Sequence, residues 1–219
     1  MSHPFEAEIS GLKEKLLVMG GHAERAAADA VRSLVQRDSE LARAVLEKDA
    51  VLDRFEIEID EDSIHILAGA PLAGDLRFIT VAMKISHNLE RVGDEAGKIA
   101  KRSIDLASEP PLKLYADLPR MSTLTLEMLK DALDAFVQRH PENARAVIGR
   151  DDEVDAMNRE TYRELAAFMV ECPASISRCL NVMGVSRSLE RIADHATNIA
   201  EEIVYLYEAR DIRHAGTRP

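Results

Sequence analysis

Hydrophobic residues recur three and four positions apart through long proline-free stretches of this chain, which is the spacing of an amphipathic helix. Segments with the alternating pattern of β-strands are missing. Proline divides the pattern, because it cannot lie inside a helix without breaking it. Six helices are predicted, and they cover about 5–70, divided at Asp38–Ser39, and then roughly 73–108, 118–139, 141–171 and 174–209.

An internal repeat organises these helices into two sets of three. Residues 86–100 (SHNLERVGDEAGKIA) and 186–200 (SRSLERIADHATNIA) are identical at eight of fifteen positions, and 45–53 similarly parallels 147–155. Because short connections make successive helices antiparallel, we expect an all-α fold of two tandem three-helix bundles related by duplication. The predicted domains are 1–109 and 110–219, which meet at the SEPP segment.

Composition and charge narrow the class of protein. Of 219 residues, 46% are apolar but only 4% are aromatic, so aliphatic side chains must fill the core. The net charge of −11 and the lack of a basic stripe argue against nucleic acid binding. No apolar run reaches the roughly 20 residues of a transmembrane helix, and no signal peptide is expected. Cys172 and Cys179 are interpreted as reduced thiols, so a cytoplasmic location is predicted.

Carboxylates are the candidate functional groups. The repeated Glu-Arg-x-x-Asp element places Glu90 with Asp94, and Glu190 with Asp194, on one face of a helix, since residues four apart are neighbours. A helical wheel directs these pairs away from the apolar arc and towards solvent.

A second acidic stripe precedes each pair along the chain. In the first half it comprises Asp49, Asp53, Glu56 and Asp60, and in the second half it comprises Asp151, Asp155 and Asn158. If these helices pack antiparallel to the paired carboxylates, the two stripes meet in one outer groove, where like charges repel unless cations or protons compensate. The prediction is one metal site or cluster per repeat, for a divalent or iron-type ion such as Fe, Mn, Zn or Mg. Its ligands would be Asp49, Asp53, Glu90 and Asp94, and then Asp151, Asp155, Glu190 and Asp194.

Other interpretations of the same residues stay open at this point. An acidic helix face is often simply solvated, and Arg91 or Arg191 could neutralise it. His195 is expected to be a solvated surface histidine. No nucleophile elbow, phosphate-binding glycine loop or Cys/His/Asp arrangement occurs, so an enzyme is not predicted. A metal-storage protein or metal-dependent hydrolase that uses the same carboxylates is the alternative.

The order of segments resembles the PhoU family, the bacterial regulators of phosphate uptake. The resemblance runs from about residue 5 to 214 and rests on EKDAVLDRFEIEIDEDSIHILA, PLAGDLRFI, LERVGDEAGKIA, LERIADHATNIAEEIVYL and a closing DIRH. It implies two three-helix bundles with metal on the acidic motifs, carried by the eight carboxylates named above. It also implies a homodimer that acts as a negative regulator, coupling a PstB-like phosphate transporter ATPase to a PhoR-like sensor histidine kinase.

The two halves depart from each other within this resemblance. Lys101 occupies the position in the first half that Glu201 has in the second, so the two sites need not hold equal metal. The second half also reads PASISR where the first has the Pro-x-x-Asp-Leu-Arg segment.

Overall fold

The computed structural model describes residues 4–69, 73–112 and 118–213, and these form α-helices joined by short connections, with no β-strand among them. The helices are α1 (Pro4–Gln36), α2 (Ser39–Glu47), α3 (Ala50–Ala68), α4 (Ala73–Ala107), α5 (Leu118–Gln138), α6 (Pro141–Ile148), α7 (Asp151–Glu171) and α8 (Ile176–Glu208). A single 3₁₀ turn, Pro173–Ser175, precedes α8. The predicted all-α architecture of two three-helix bundles is confirmed, and no described helix is long and apolar enough to cross a membrane.

Two of the six predicted helices are each interrupted by a short turn. The second is divided into α2 and α3 at Lys48–Asp49, and the fifth into α6 and α7 at Gly149–Arg150. Both interruptions fall at corresponding points of the repeat, as the duplication requires. The division between α1 and α2 falls at Asp38–Ser39, as predicted. The Asp38 carboxylate caps α2 by accepting hydrogen bonds from the backbone N–H groups of Glu40 and Leu41, at 3.0 and 2.9 Å.

In each half, one long helix packs against the other helices of that half, and the buried residues of both halves form one continuous aliphatic core. Helix α4 packs on α1, α2 and α3, and α8 packs on α5, α6 and α7. The apolar arc predicted for α4 is fully inside, with Ile85, Leu89, Val92 and Ala96 at most 1% exposed. Gly93 lies where α3 approaches α4 so closely that an added Cβ atom would be 2.3 Å from Leu52 Cδ1. The core therefore depends on small residues at the helix crossing.

The two halves meet mainly where α4 packs against α8, with α1 against α5 beside them. As α4 runs from Lys84 to Arg102, the residues that it contacts on α8 run backwards from Glu202 to Gly184, so the two helices are antiparallel. Charged groups are buried in this contact. Glu202, 5% exposed, accepts hydrogen bonds from Lys84 Nζ and Arg213 Nη1, at 3.0 and 3.1 Å from its Oε1. The boundary between residues 109 and 110 stays a prediction.

Candidate metal centres

Three carboxylates of the second half converge between α7 and α8. Asp155 lies one turn into α7, and Glu190 and Asp194 lie one turn apart on α8. One oxygen of each can be chosen so that all three atoms lie within 4.8 Å of one another. The fourth predicted residue, Asp151, begins α7 and accepts a hydrogen bond from Thr197 Oγ1 at 3.1 Å. This all-oxygen arrangement can hold a hard cation.

Burial and mutual repulsion raise the proton affinity of this group. Desolvation is the largest cause and raises the pKa of Asp194 to about 6, with further increases from the charges of Asp151 and Asp155. Burial first, and then the charge of Asp194, also raises the pKa of Glu190. The helical wheel directed these side chains to solvent, and that expectation is wrong for Glu190, which is 9% exposed. The α7 helix covers it, which a wheel for one helix does not take into account.

One oxygen of this group lacks any hydrogen bond. Glu190 Oε1 accepts a hydrogen bond from Arg187 Nη1 at 2.6 Å, while Glu190 Oε2 is buried with no hydrogen-bond partner among the described residues. A buried carboxylate oxygen without a partner costs free energy that a bound cation or proton would recover. Asp155 has a weaker arginine contact, from Arg159 Nη1 at 3.3 Å.

The corresponding group in the first half has a different composition. Oxygens of Glu56 and Glu90 and a ring nitrogen of His87 lie within 4.8 Å of one another, between α3 and α4. His87 Nδ1 is 2.9 Å from Glu56 Oε1. Two carboxylates with one imidazole suit a transition metal better than the all-oxygen group does.

Glu90 repeats the features of Glu190. Its Oε2 atom is buried and makes no hydrogen bond within the described part of the chain, although it lies 3.2 Å from Arg91 Nε, since the two groups are poorly aligned. Burial is the main cause that raises the pKa of Glu90, followed by the charge of Asp94. Arg91 Nη1 also contacts Asp94 Oδ2, at 3.1 Å. The arginine that the sequence offered as a neutralising partner therefore takes that role in this half.

Asp49 and Asp53 lie at the edge of the first group. Both are exposed, and Asp49 stands at the start of α3 instead of inside a longer helix. Burial is the main cause that raises the pKa of Asp49, followed by the charges of Asp53 and Asp94, so these three carboxylates repel one another. His87 was missed by the sequence analysis, although its spacing three residues before Glu90 places it on the same helix face.

Two residues near the groups behave differently from expectation. Arg191 does not pair with the second-half acids, because its Nε lies 3.3 Å from Glu95 Oε1 across the α4–α8 contact. His195 was expected to be solvated, and that is wrong. Its Nδ1 is 3.0 Å from Asn88 Oδ1, and burial lowers its pKa to about 4. The packing of the two halves accounts for both differences, since each side chain contacts α4.

The fold and these two groups define a class: a duplicated helical protein with one acidic cluster between helices in each half. The family model described as the PhoU domain matches residues 16–103 and 118–203. The chain is 41% identical over 218 residues to the phosphate-specific transport system accessory protein PhoU homolog of Pseudomonas aeruginosa, covering 99% of this chain and 90% of that protein. It is 34% identical over 217 residues to the Escherichia coli accessory protein PhoU, covering 99% and 90%.

Solved structures agree with this relationship. The crystal structure of PhoU from Pseudomonas aeruginosa superposes with a TM-score of 0.92 at 41% identity, covering 94% of this chain and all of that one (100%). The phosphate transport system regulatory protein PhoU from Streptococcus pneumoniae gives a TM-score of 0.87 at 28% identity, covering 94% and 98%. The chain belongs to the PhoU family.

Proposed function

We propose that this protein is a cytoplasmic negative regulator of phosphate uptake and of the phosphate-starvation response. It would act as an adaptor between the ATPase of a phosphate ABC transporter and a sensor histidine kinase, as a homodimer and without enzymatic activity. The observation that carries this proposal is the PhoU domain match to both halves, together with near-full-length relatives named as phosphate transport accessory proteins.

The proposal includes one metal site in each half, formed by the eight predicted carboxylates together with Glu56 and His87. It is supported by Glu90 Oε2 and Glu190 Oε2, which occupy corresponding positions and are both buried without a hydrogen bond to any residue that the structure describes. Each faces further acids whose charges raise its pKa. A cation would satisfy both oxygens and remove the repulsion at once.

Bound metal would affect the adaptor through its rigidity. In each half the ligands come from two helices, α3 with α4 and α7 with α8. A cation shared between them would fix the helix pair and present one defined surface to a partner. Signalling then requires the protein to bind one conformation of the transporter or kinase more tightly than the other, because equal affinity shifts no equilibrium.

Gene deletion tests the regulatory role. In high phosphate, a deletion strain should express alkaline phosphatase constitutively, and wild-type protein supplied from a plasmid should restore repression. A companion strain that carries Glu90→Gln and Glu190→Gln measures how far regulation depends on the metal sites. Unchanged reporter activity in the deletion strain would reject the regulator, while co-purification with neither ATPase nor kinase would reject the adaptor mechanism.

A further inference from the structure

The second half has an open groove beside its acidic cluster. The groove of the second half, here called the arginine groove, lies between α7 and α8 and is lined by Asn158, Arg159, Tyr162, Arg163 and Arg187. The duplication places different residues at these positions in the first half, namely Glu56, Ile57, Asp60, Glu61 and His87. Three of them, Glu56, Asp60 and His87, line a groove between the two halves, which Lys84, Glu202 and Arg213 also line.

The matched positions of the two halves thus carry opposite charge on a similar backbone. Three carboxylates of the first half are replaced in the second by an amide, a phenol and a guanidinium, and His87 is replaced by Arg187. The chain as a whole is acidic, with a net charge of −11, so a cluster of three arginines is not expected from its composition. A helix face that only contacts solvent does not require residues of opposite charge at the corresponding positions of the two halves.

The arginines also contact the carboxylates that form the second cluster. Arg187 donates to Glu190 at 2.6 Å, and Arg159 donates to Asp155 at 3.3 Å, while Arg163 pairs with Glu160 outside the cluster. A guanidinium has five N–H donors, so one carboxylate contact leaves most of them available. The side chains of Arg187, Arg159 and Arg163 are 54%, 65% and 73% exposed, which leaves those donors accessible from the groove.

A cation in the second cluster would change this charge balance. Bound through Glu190 Oε2 and an oxygen of Asp155, it would draw negative charge away from Arg187 and Arg159, and so weaken both ion pairs. An oxyanion with several acceptor oxygens is the ligand that a set of forked guanidinium donors binds best. It could contact the arginines on one side and the cation on the other.

We propose that the arginine groove binds inorganic phosphate, or an oxyanion of the same shape, together with a cation in the Asp155, Glu190 and Asp194 cluster. The inference rests on the proposed metal site of the second half. Binding of the two ions is positively coupled. The cation weakens the contacts of Asp155 and Glu190 with the arginines, which makes the guanidinium groups better donors to the oxyanion. The bound oxyanion in turn lowers the positive charge that the cation meets. The coupling is reciprocal, so phosphate strengthens cation binding by the same factor as the cation strengthens phosphate binding. The matched positions of the first half hold no arginine, so the first-half cluster shows no such coupling.

Calorimetric titration of the full-length protein with MgCl2 tests this, in chloride buffer and in phosphate buffer of equal ionic strength. Phosphate should increase the affinity of one Mg²⁺ site by about fivefold or more. The increase should be lost in Arg163→Gln and in Arg187→Gln, and in Glu190→Gln. It should persist in the matched first-half variant Glu61→Gln. Circular dichroism checks that each variant is folded.

The outcomes separate this inference from the proposed metal site. Mg²⁺ binding in chloride that phosphate does not strengthen would overturn the coupled oxyanion site and leave the metal site standing. A phosphate effect that survives both arginine substitutions would overturn it as well. Binding of Mg²⁺ only when phosphate is present would support the coupled site. No Mg²⁺ binding in either buffer would overturn this inference, and a matching failure with Mn²⁺, Zn²⁺ and iron would reject the proposed metal function.

Discussion

The acidic clusters of the two halves derive from the same Leu-Glu-Arg-x-x-Asp element, yet their charges are balanced differently. In the first half, Arg91 contacts both Glu90 and Asp94 of its own element. In the second half, the equivalent Arg191 turns to Glu95 on α4, and a different arginine, Arg187, pairs with Glu190. Burial, followed by the charges of Asp151 and Asp155, raises the pKa of Asp194 to about 6 and outweighs the opposing charges of Arg187 and Arg191. The contact between the halves thus redirects Arg191, while arginines of the same helix compensate Glu90, Asp94 and Glu190.

The residues at the helix crossing beneath each cluster differ between the halves. Replacing a first-half residue with its second-half counterpart should have the largest effect on the free energy of unfolding. Gly93 faces Leu52 in the first half, while the equivalent positions of the second half hold Ala193 and Val154. Gly93→Ala should lower the free energy of unfolding by about 1–3 kcal/mol, because its Cβ atom would overlap Leu52. Urea denaturation measures this loss. Adding Leu52→Val, which copies the second half, should recover much of it, and no recovery would contradict this matched packing.

Removing the charge of Asp194 should stabilise the metal-free protein at pH 7. The ionised carboxylate is unfavourable there, since its pKa of about 6 exceeds the ordinary aspartate value of 3.8. After allowance for solvent screening of this half-buried group, Asp194→Asn should gain about 1 kcal/mol. The matched Asp94→Asn should instead be neutral or slightly destabilising, because it removes the contact with Arg91. Urea denaturation of both variants in the presence of a chelator measures this difference. An equal gain in the free energy of unfolding for the two variants would contradict the proposed difference in charge balance between the clusters.

Asp194 and the adjacent His195 should contribute opposite dependences on pH. The pKa of Asp194 is raised to about 6, so the folded state binds its proton more tightly and this contribution to stability falls as pH rises from about 4 to 6. The pKa of His195 is lowered from 6.5 to about 4, so its contribution rises with pH over that window. The gain from Asp194→Asn should therefore grow with pH and level off above 6, whereas His195→Gln should cost more as pH rises, by about 1 kcal/mol or less. Denaturation at half-unit pH steps checks both trends, and parallel curves for wild type and variants would contradict them.

Much of the architecture was predictable because duplication and proline positions report directly on helices. Asp38 capped its helix as expected, and the arc of Ile85, Leu89, Val92 and Ala96 is buried. The interruption at Lys48–Asp49 was not predicted, since no proline marks it. Hydrophobic spacing continues across so short a break, which left Asp49 inside a helix that in fact begins after it.

The candidate sites were predictable only in part. Spacing four residues apart is local information, so Glu90 with Asp94 and Glu190 with Asp194 could be placed on common faces. Which arginine pairs with which acid depends on the α4–α8 contact, and the burial of His195 has the same origin. The participation of His87 depended on the side-chain geometry between α3 and α4, where it approaches Glu56.

Metal content is the measurement that tests the central claim most directly. Protein purified without chelator, and then loaded by dialysis with Mn²⁺, Zn²⁺ or iron in turn, should hold metal in both halves by elemental analysis. Glu90→Gln should remove the metal of the first half only, and Glu190→Gln that of the second half only, with both folds intact by circular dichroism. Wild-type protein that holds no metal above background, or variants that hold as much as wild type, would contradict the assignment of these carboxylates as metal ligands.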